Sequence, residues 1–245
     1  MSAVARIAMW SGPRNISTAM MRAFSSRPDT WVVDEPYYAA YLARSGADHP
    51  MRALVLAAQP TDPDMVTRSL LEPVPDGKTV FYQKQMTHHV RPEDCAALLP
   101  ACRHAFLLRA PEAVLASYAA KREAVTAADI GVAQQAEWFD AVCAATGAVP
   151  PVIDAADVLA APEAALRALC AALGLAFSPA MLRWPAGPHA RDGVWAPAWY
   201  DQVWRSTGFA APTPVPALPP ALAQIAEAVR PAYARMARHA LRVAG

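Results

Sequence analysis

The chain has 245 residues, 55% of them hydrophobic and 18% charged, with a formal net charge of +1. That is enough apolar material for one well-filled α/β domain, and a charge so close to zero gives no reason to expect a nucleic acid or an anionic membrane as partner. No long apolar run precedes the Ser11-Gly12 turn and no stretch approaches the ~20 apolar residues of a membrane span, so the expected address is cytoplasmic.

The first element is the one around which the rest is arranged. Ile7-Ala8-Met9-Trp10 reads as a buried strand, Ser11 to Asn15 as a turn, and Ile16, Ala19, Met20, Ala23 and Phe24 recur at helical spacing. Ser17 and Thr18 fall at the helix start, where unpaired N–H groups and the positive end of the helix dipole suit a phosphate. Arg14 adds a cation. Gly12 is followed by neither a second glycine nor a lysine, so the loop is not a Walker A sequence.

Arg27-Pro28-Asp29 is a turn, Thr30 to Val33 a second strand, and Asp34-Glu35-Pro36 its end. Two carboxylates there have three readings: a Walker-B-like pair serving Mg²⁺, a general base at Glu35, or a solvated turn. Tyr37 to Leu56 reads as helix with a break at Asp48-His49-Pro50, its aromatic stripe being core packing or the wall of an acceptor pocket. Met65 to Leu71 is a short helix. Thr79 to Gln83 is a third strand running into Lys84-Gln85-Met86-Thr87-His88-His89. A neutral imidazole can accept a proton near pH 7, whereas adjacent histidines with no third ligand at a usual spacing make a poor zinc site. His104 to Leu108 is a fourth strand, ending in Arg109-Ala110-Pro111 ahead of a helix that carries Ser117 and Tyr118. Lys121-Arg122-Glu123 reads as a solvated face and Gln134 to Ala145 as an amphipathic helix. Pro151 to Asp154 is a fifth strand, and Glu163 to Leu173 a helix ended by Gly174.

The tail from Pro185 carries Trp195, Trp199, Tyr200, Trp204 and Phe209, which read as an aromatic clasp on the core. Prolines crowd at Pro212, Pro214, Pro216, Pro219 and Pro220, a local linker, and two helices follow, Ala221 to Val229 and Ala232 to Val243, separated at Pro231. Cys95, Cys102, Cys143 and Cys170 show no CxxC pairing and read as reduced core residues.

The loop at Pro13, Arg14, Ser17 and Thr18 resembles the 5'-phosphosulfate-binding loop of sulfotransferases. Arg109, Pro111, Ser117 and Tyr118 resemble, in residue and spacing, that family's 3'-phosphate site. Lys84 followed by Thr87-His88 is similar to its Lys-Thr-His strand end, with two extra residues between lysine and threonine. Arg191 and Gly193 echo a late arginine- and glycine-rich stretch that closes over the 3'-phosphate. Ala155-Ala156 stand where the family often has an aromatic that packs on adenine.

What the resemblance implies is sulfuryl transfer from 3'-phosphoadenosine 5'-phosphosulfate, as co-substrate, to a hydroxyl or amine of a small-molecule acceptor. Arg14, Asn15, Ser17 and Thr18 would hold the phosphosulfate end, and Arg109, Ser117 and Arg191 the 3'-phosphate. Lys84 would stabilise charge on the bridging oxygen, and His88 or Glu35 would take the acceptor proton, with His89 the alternative to His88. No metal is called for. A kinase-like phosphotransferase using Asp34-Glu35 for Mg²⁺, and an inactive nucleotide-binding module, are the competing readings. The expected fold is a three-layer α/β/α sandwich with a mainly parallel central sheet, P-loop NTPase-like, with a nucleotide-binding core over residues 1–184 and the aromatic, proline-rich segment 185–245 packed on the same domain. A homodimer is compatible with the chain.

Overall fold

Five short apolar runs become five strands: β1 (Ala5–Ser11), β2 (Thr30–Asp34), β3 (Val80–Met86), β4 (Arg103–Leu108) and β5 (Val152–Asp154). In the computed structural model, which describes residues 4–119 and 125–243, they form one sheet in the order β2-β3-β1-β4-β5 with every pairing parallel. The Lys121-Arg122-Glu123 stretch lies outside the described residues.

The helices in chain order are α1 (Ser17–Ser25), α2 (Tyr38–Ser45), α3 (Arg52–Ala58), α4 (Pro63–Leu71), α5 (Leu98–Ala101), α6 (Pro111–Ala119), α7 (Val132–Thr146), α8 (Ala155–Ala160), α9 (Pro162–Ala172), α10 (Ala196–Trp199), α11 (Asp201–Trp204) and α12 (Pro220–Ala237). Side chains alternate across a strand, so β1 sends Ile7 and Met9 to one face and Ala8 and Trp10 to the other. Both faces are covered, as an all-parallel sheet requires. Met20, Met21 and Phe24 of α1 and Leu166 and Leu169 of α9 pack on the first face. Val66 of α4, Leu115 of α6, Trp138 and Phe139 of α7 and Met236 of α12 pack on the second. Each such large side chain contributes roughly 1.5–3 kcal/mol by leaving water. The result is the three-layer α/β/α, P-loop NTPase-like architecture.

Two elements differ from the expectation. Strand β3 runs on through Lys84 to Met86, so Lys84 sits inside a strand rather than after one. The two expected C-terminal helices are one helix, α12, with Pro231 in its interior. Proline has no N–H to offer the Glu227 carbonyl and costs a free helix about 3 kcal/mol or more. Burial of Ala226, Val229 and Met236, on both sides of the proline, holds the helix continuous. All four cysteines are free thiols.

The strand order fixes where a ligand can go. The chain leaves β1 toward β2 and leaves β4 toward β5, so these adjacent strands diverge at their carboxyl ends. Such a switch point opens a crevice in an open α/β sheet. The loops that begin at Gly12 and at Arg109 border it. A third apolar cluster, Tyr38 and Leu42 of α2, Val55 of α3, and Trp195, Ala196 and Tyr200 from the tail, closes over the carboxyl end of the β2 side.

Candidate functional site

Residues following β1 and β4 meet at the switch point. The Arg14 guanidinium donates from Nε (3.1 Å) and Nη2 (3.0 Å) to Ser117 Oγ of α6. Arg109 Nη1 donates to the Arg14 carbonyl at 2.6 Å. Arg14 has φ of 55°, a left-handed conformation that costs a side-chain-bearing residue about 1–2 kcal/mol, and the Arg109 bond helps hold it there. Burial, and then the Arg14 charge, pull the Arg109 guanidinium below its ordinary value. Asn15 braces the turn, its Oδ1 accepting from Ile16 N–H at 2.8 Å and its Nδ2 donating to the Leu107 carbonyl at 2.9 Å. No side chain caps α1 at its start, so the first N–H groups around Ser17 and Thr18 face the loop unspent. An open helix N-terminus beside two guanidinium groups can hold a multiply charged anion.

A second cluster forms at the ends of β2 and β3. Asp34 and Lys84 are register partners across the two strands. Lys84 Nζ donates to Asp34 Oδ1 at 2.9 Å, to Glu35 Oε1 at 2.7 Å and to Tyr200 OH at 2.6 Å, and its side chain is 1% exposed. An ammonium has three N–H donors, so all are used. Burial opposes the Lys84 charge, but Asp34 and then Glu35 outweigh it and keep the ammonium above its ordinary value. Burial raises Glu35 above the usual carboxylate range, Lys84 offsets this in part, and Asp34 adds to the rise. Glu35 also has positive φ, 38°.

The two histidines lie beside this cluster. His89 Nδ1 is 3.9 Å from Glu35 Oε2, and its ring lies against Tyr38 (4.7 Å) and Tyr41 (4.9 Å) of α2. His88 packs edge-on to Tyr41 at 5.3 Å. Burial, then His49 and Arg44, push His88 down to about 4, and burial, then His88 and Lys84, push His89 well below the ordinary histidine value. Both are neutral at pH 7, and the Nδ1 of each is buried with no hydrogen-bond partner among the described residues.

One cleft of about 670 Å³ joins the clusters, lined by Arg14, Asn15, Ser17 and Thr18 at one end and by Glu35, Lys84, His88, His89 and Tyr200 at the other. Arg109 and Ser117 stand behind Arg14. Arg191 is not brought to the rest. Its guanidinium lies 3.4 Å from the ring centre of Trp31 on edge strand β2, beside a separate cavity of about 410 Å³. The sequence pattern leaves out Asp34 as a lysine partner, and reads Trp195 and Tyr200 only as part of an aromatic clasp and Gly193 only as part of a glycine-rich echo, not as neighbours of Asp34 and Lys84. Tyr200 is 116 residues from Lys84 in the chain, and the only signal for it is the aromatic density of the tail. Among the described residues no group of three or more His, Cys, Asp or Glu is arranged to hold a metal ion, and no helix is long and apolar enough to cross a membrane.

Comparison with known families gives this geometry a context. The family model described as "Sulfotransferase domain" matches residues 5–240, nearly the whole chain. The chain belongs to the sulfotransferase family. The sulfotransferase of Alicyclobacillus acidocaldarius has the same fold, with a TM-score of 0.59 over 97% of this chain and 96% of that one at 14% identity. So does the sulfotransferase domain from the curacin biosynthetic pathway, with a TM-score of 0.52 over 94% and 99% at 14% identity. Two Arabidopsis thaliana proteins are closer in sequence: branched-chain-amino-acid aminotransferase-like proteins 1 and 2 are 36% and 34% identical over 84% of this chain. The chain spans 37% and 36% of their respective lengths. It is thus a sulfotransferase-family transferase whose similarity to those longer proteins is confined to about a third of each.

Proposed function

We propose that this sulfotransferase moves a sulfuryl group from 3'-phosphoadenosine 5'-phosphosulfate to a hydroxyl or amine of a small-molecule acceptor. The observation that carries the reading is the Arg14–Ser117–Arg109 cluster beside the uncapped start of α1. The donor is a nucleotide with charged groups at two ends. The fit is supported by the residues present: Arg14, Asn15, Ser17, Thr18 and the N–H groups of α1 for the phosphosulfate, with Arg109 and Ser117 for the 3'-phosphate. A cleft of about 670 Å³ is within the range of sites that bury a ligand of this size.

Glu35 takes the acceptor proton. Glu35 lines the cleft; its Oε1 is held by Lys84, while Oε2 takes no part in that bond and faces His89 at 3.9 Å. A carboxylate raised by burial is a stronger base than a histidine depressed to about 4, which favours Glu35 over His88. His88 and His89 instead offer neutral nitrogens to the acceptor's polar groups. Lys84, with every donor spent, fixes the carboxylates and supplies a nearby positive charge to the oxygen that leaves.

The kinase reading asks Asp34 and Glu35 to hold Mg²⁺, but Lys84 sits where that ion would. Calorimetric titration with 3'-phosphoadenosine 5'-phosphate, with ATP-Mg²⁺ alongside, tests the assignment. The bisphosphate binds and Arg109→Ala abolishes that binding while the protein stays folded. Preference for ATP-Mg²⁺ overturns the donor assignment, and binding of neither withdraws the nucleotide site.

A further inference from the structure

The tail touches the lysine–acid cluster through one hydroxyl. Tyr200 OH accepts from Lys84 Nζ at 2.6 Å and from Trp195 Nε1 at 3.1 Å, and donates to Asp34 Oδ2 at 2.6 Å. A phenol has one proton and two lone pairs, so the group is saturated. Asp34 is bonded at both oxygens: Oδ1 takes Lys84, and Oδ2 takes Tyr200 and the Gly193 N–H at 3.1 Å. Two carboxylates and one ammonium leave one negative charge in excess. Of the four carboxylate oxygens, Glu35 Oε2 is the one that takes none of these bonds, and Glu35 lines the cleft. The network therefore leaves its uncompensated charge on the Glu35 carboxylate, whose Oε2 is the oxygen not tied to Lys84.

The segment that carries Tyr200 is itself pinned. Arg22 of α1 donates to Asp192 Oδ2 at 2.7 Å, with side chains 3% and 5% exposed. The same oxygen accepts from the His189 N–H and from Trp204 Nε1, each at 2.9 Å. A Cβ on Gly193 would run into the Trp195 ring, so glycine is what lets this backbone pass close enough to reach Asp34.

We propose that Tyr200 is a positioning residue for the transfer: its hydroxyl pins Lys84 to Asp34, so that Glu35 keeps one oxygen free for the acceptor proton. The proposal rests on Glu35 being the base. Without the hydroxyl, Asp34 loses a donor and its charge bears more heavily on Glu35. Lys84 gains a free N–H that competes for the substrate side of the site.

The test reads Glu35 directly, by ¹³C NMR of its side-chain carboxyl across a pH titration of the ligand-free protein, the resonance assigned with Glu35→Gln. The groups facing Glu35 are Lys84 from β3, Asp34 from β2, Tyr38 from α2, His89 from the loop after β3, and Tyr200. Burial, then Asp34 and Glu35, hold the Tyr200 phenol far above neutral, so over the titrated range it stays a donor. Tyr200→Phe moves the Glu35 midpoint upward by about one pH unit. A midpoint that stays put, or moves down, overturns the proposal. If Tyr200→Phe does not fold, Trp195→Phe carries the test. It removes the N–H that polarises the Tyr200 hydroxyl, along with part of the buried indole that packs edge-on to Tyr38, so the midpoint moves up by a smaller amount, and no movement again overturns the proposal. Bisphosphate binding by the unmodified protein tests the sulfuryl-transfer reading separately, and its failure leaves the Glu35 titration fully readable.

Discussion

Replacing Arg14 separates two things the residue does, because its side chain and its backbone are both unusual. The side chain makes two hydrogen bonds to Ser117 and lines the cleft, while the backbone sits at φ 55°. Hydrogen bonds to a charged group are worth about 1.5–3 kcal/mol each when the partner is a ligand anion. Losing a guanidinium that makes one or two of them weakens binding of 3'-phosphoadenosine 5'-phosphate by about 3 kcal/mol, ~150-fold. Arg14→Ala and Arg14→Gly share that loss. They differ in the backbone: glycine adopts positive φ without the ~1–2 kcal/mol strain, and gives back part of the gain through a floppier unfolded chain. Arg14→Gly is therefore more stable than Arg14→Ala by about 0.5–1 kcal/mol in urea denaturation, while calorimetry shows equal affinities. Should both variants bind the bisphosphate within threefold of the unmodified protein, Arg14 is no ligand contact, and the site built on it fails. Should the alanine variant prove the more stable, the strain argument fails instead.

Lys84→Met leaves Asp34 and Glu35 buried without their cation, a change of about 3–5 kcal/mol for a pair broken on one side. In that variant the folded state holds on to protons, so the stability gap to the parent widens as pH rises from 5 to 8; a gap independent of pH in urea denaturation contradicts the pairing. His88 is pushed down to about 4 from 6.5, so between those values the unfolded chain binds more protons than the folded one. Its contribution is full above pH 6.5 and is lost as pH falls toward 4, up to roughly 3 kcal/mol, and His88→Gln flattens that part of the stability–pH curve.

What the sequence discloses here is whatever is local. Five apolar runs, each closed by a turn, are enough to read an alternating α/β chain. Arg14 with Ser17-Thr18, and Arg109 with Ser117, stand out because each set falls within one strand–loop–helix unit, whereas the bond the structure shows, Arg14 to Ser117, runs between the two units. The cluster at Lys84 is only half legible. Lys84 and Glu35 stand out as residue types, but β3 inserts between β1 and β2, and only that order makes Asp34 the register partner of Lys84. Tyr200 comes from an irregular stretch held by the Arg22–Asp192 pair, and no periodicity announces it. Arg191 shows the converse, a motif residue that does not line the cleft. It echoes a motif, yet it stacks on Trp31 of edge strand β2. At Pro231 the local rule says break, and burial against α6 and α7 overrides it.

In the proposed reaction, two clusters built on different strands act together, and the sheet is what relates them. Transfer needs the group that binds the donor and the group that accepts the proton to be placed within fractions of an ångström of a fixed relation, which loops alone do not guarantee. Here β1 and β3 are adjacent and paired from Ala5↔Val80 through Ser11↔Met86, so Met9 lies opposite Lys84. The pairing continues past the strand ends, where the Thr87 N–H donates to the Ser11 carbonyl at 3.1 Å. The loop that carries Arg14 and the segment that carries Lys84, His88 and His89 therefore leave from one hydrogen-bonded ladder. Their relative position is set by a buried parallel pairing rather than by the loops, and the tail needs only to fix the direction of the Lys84 ammonium and the free oxygen of Glu35.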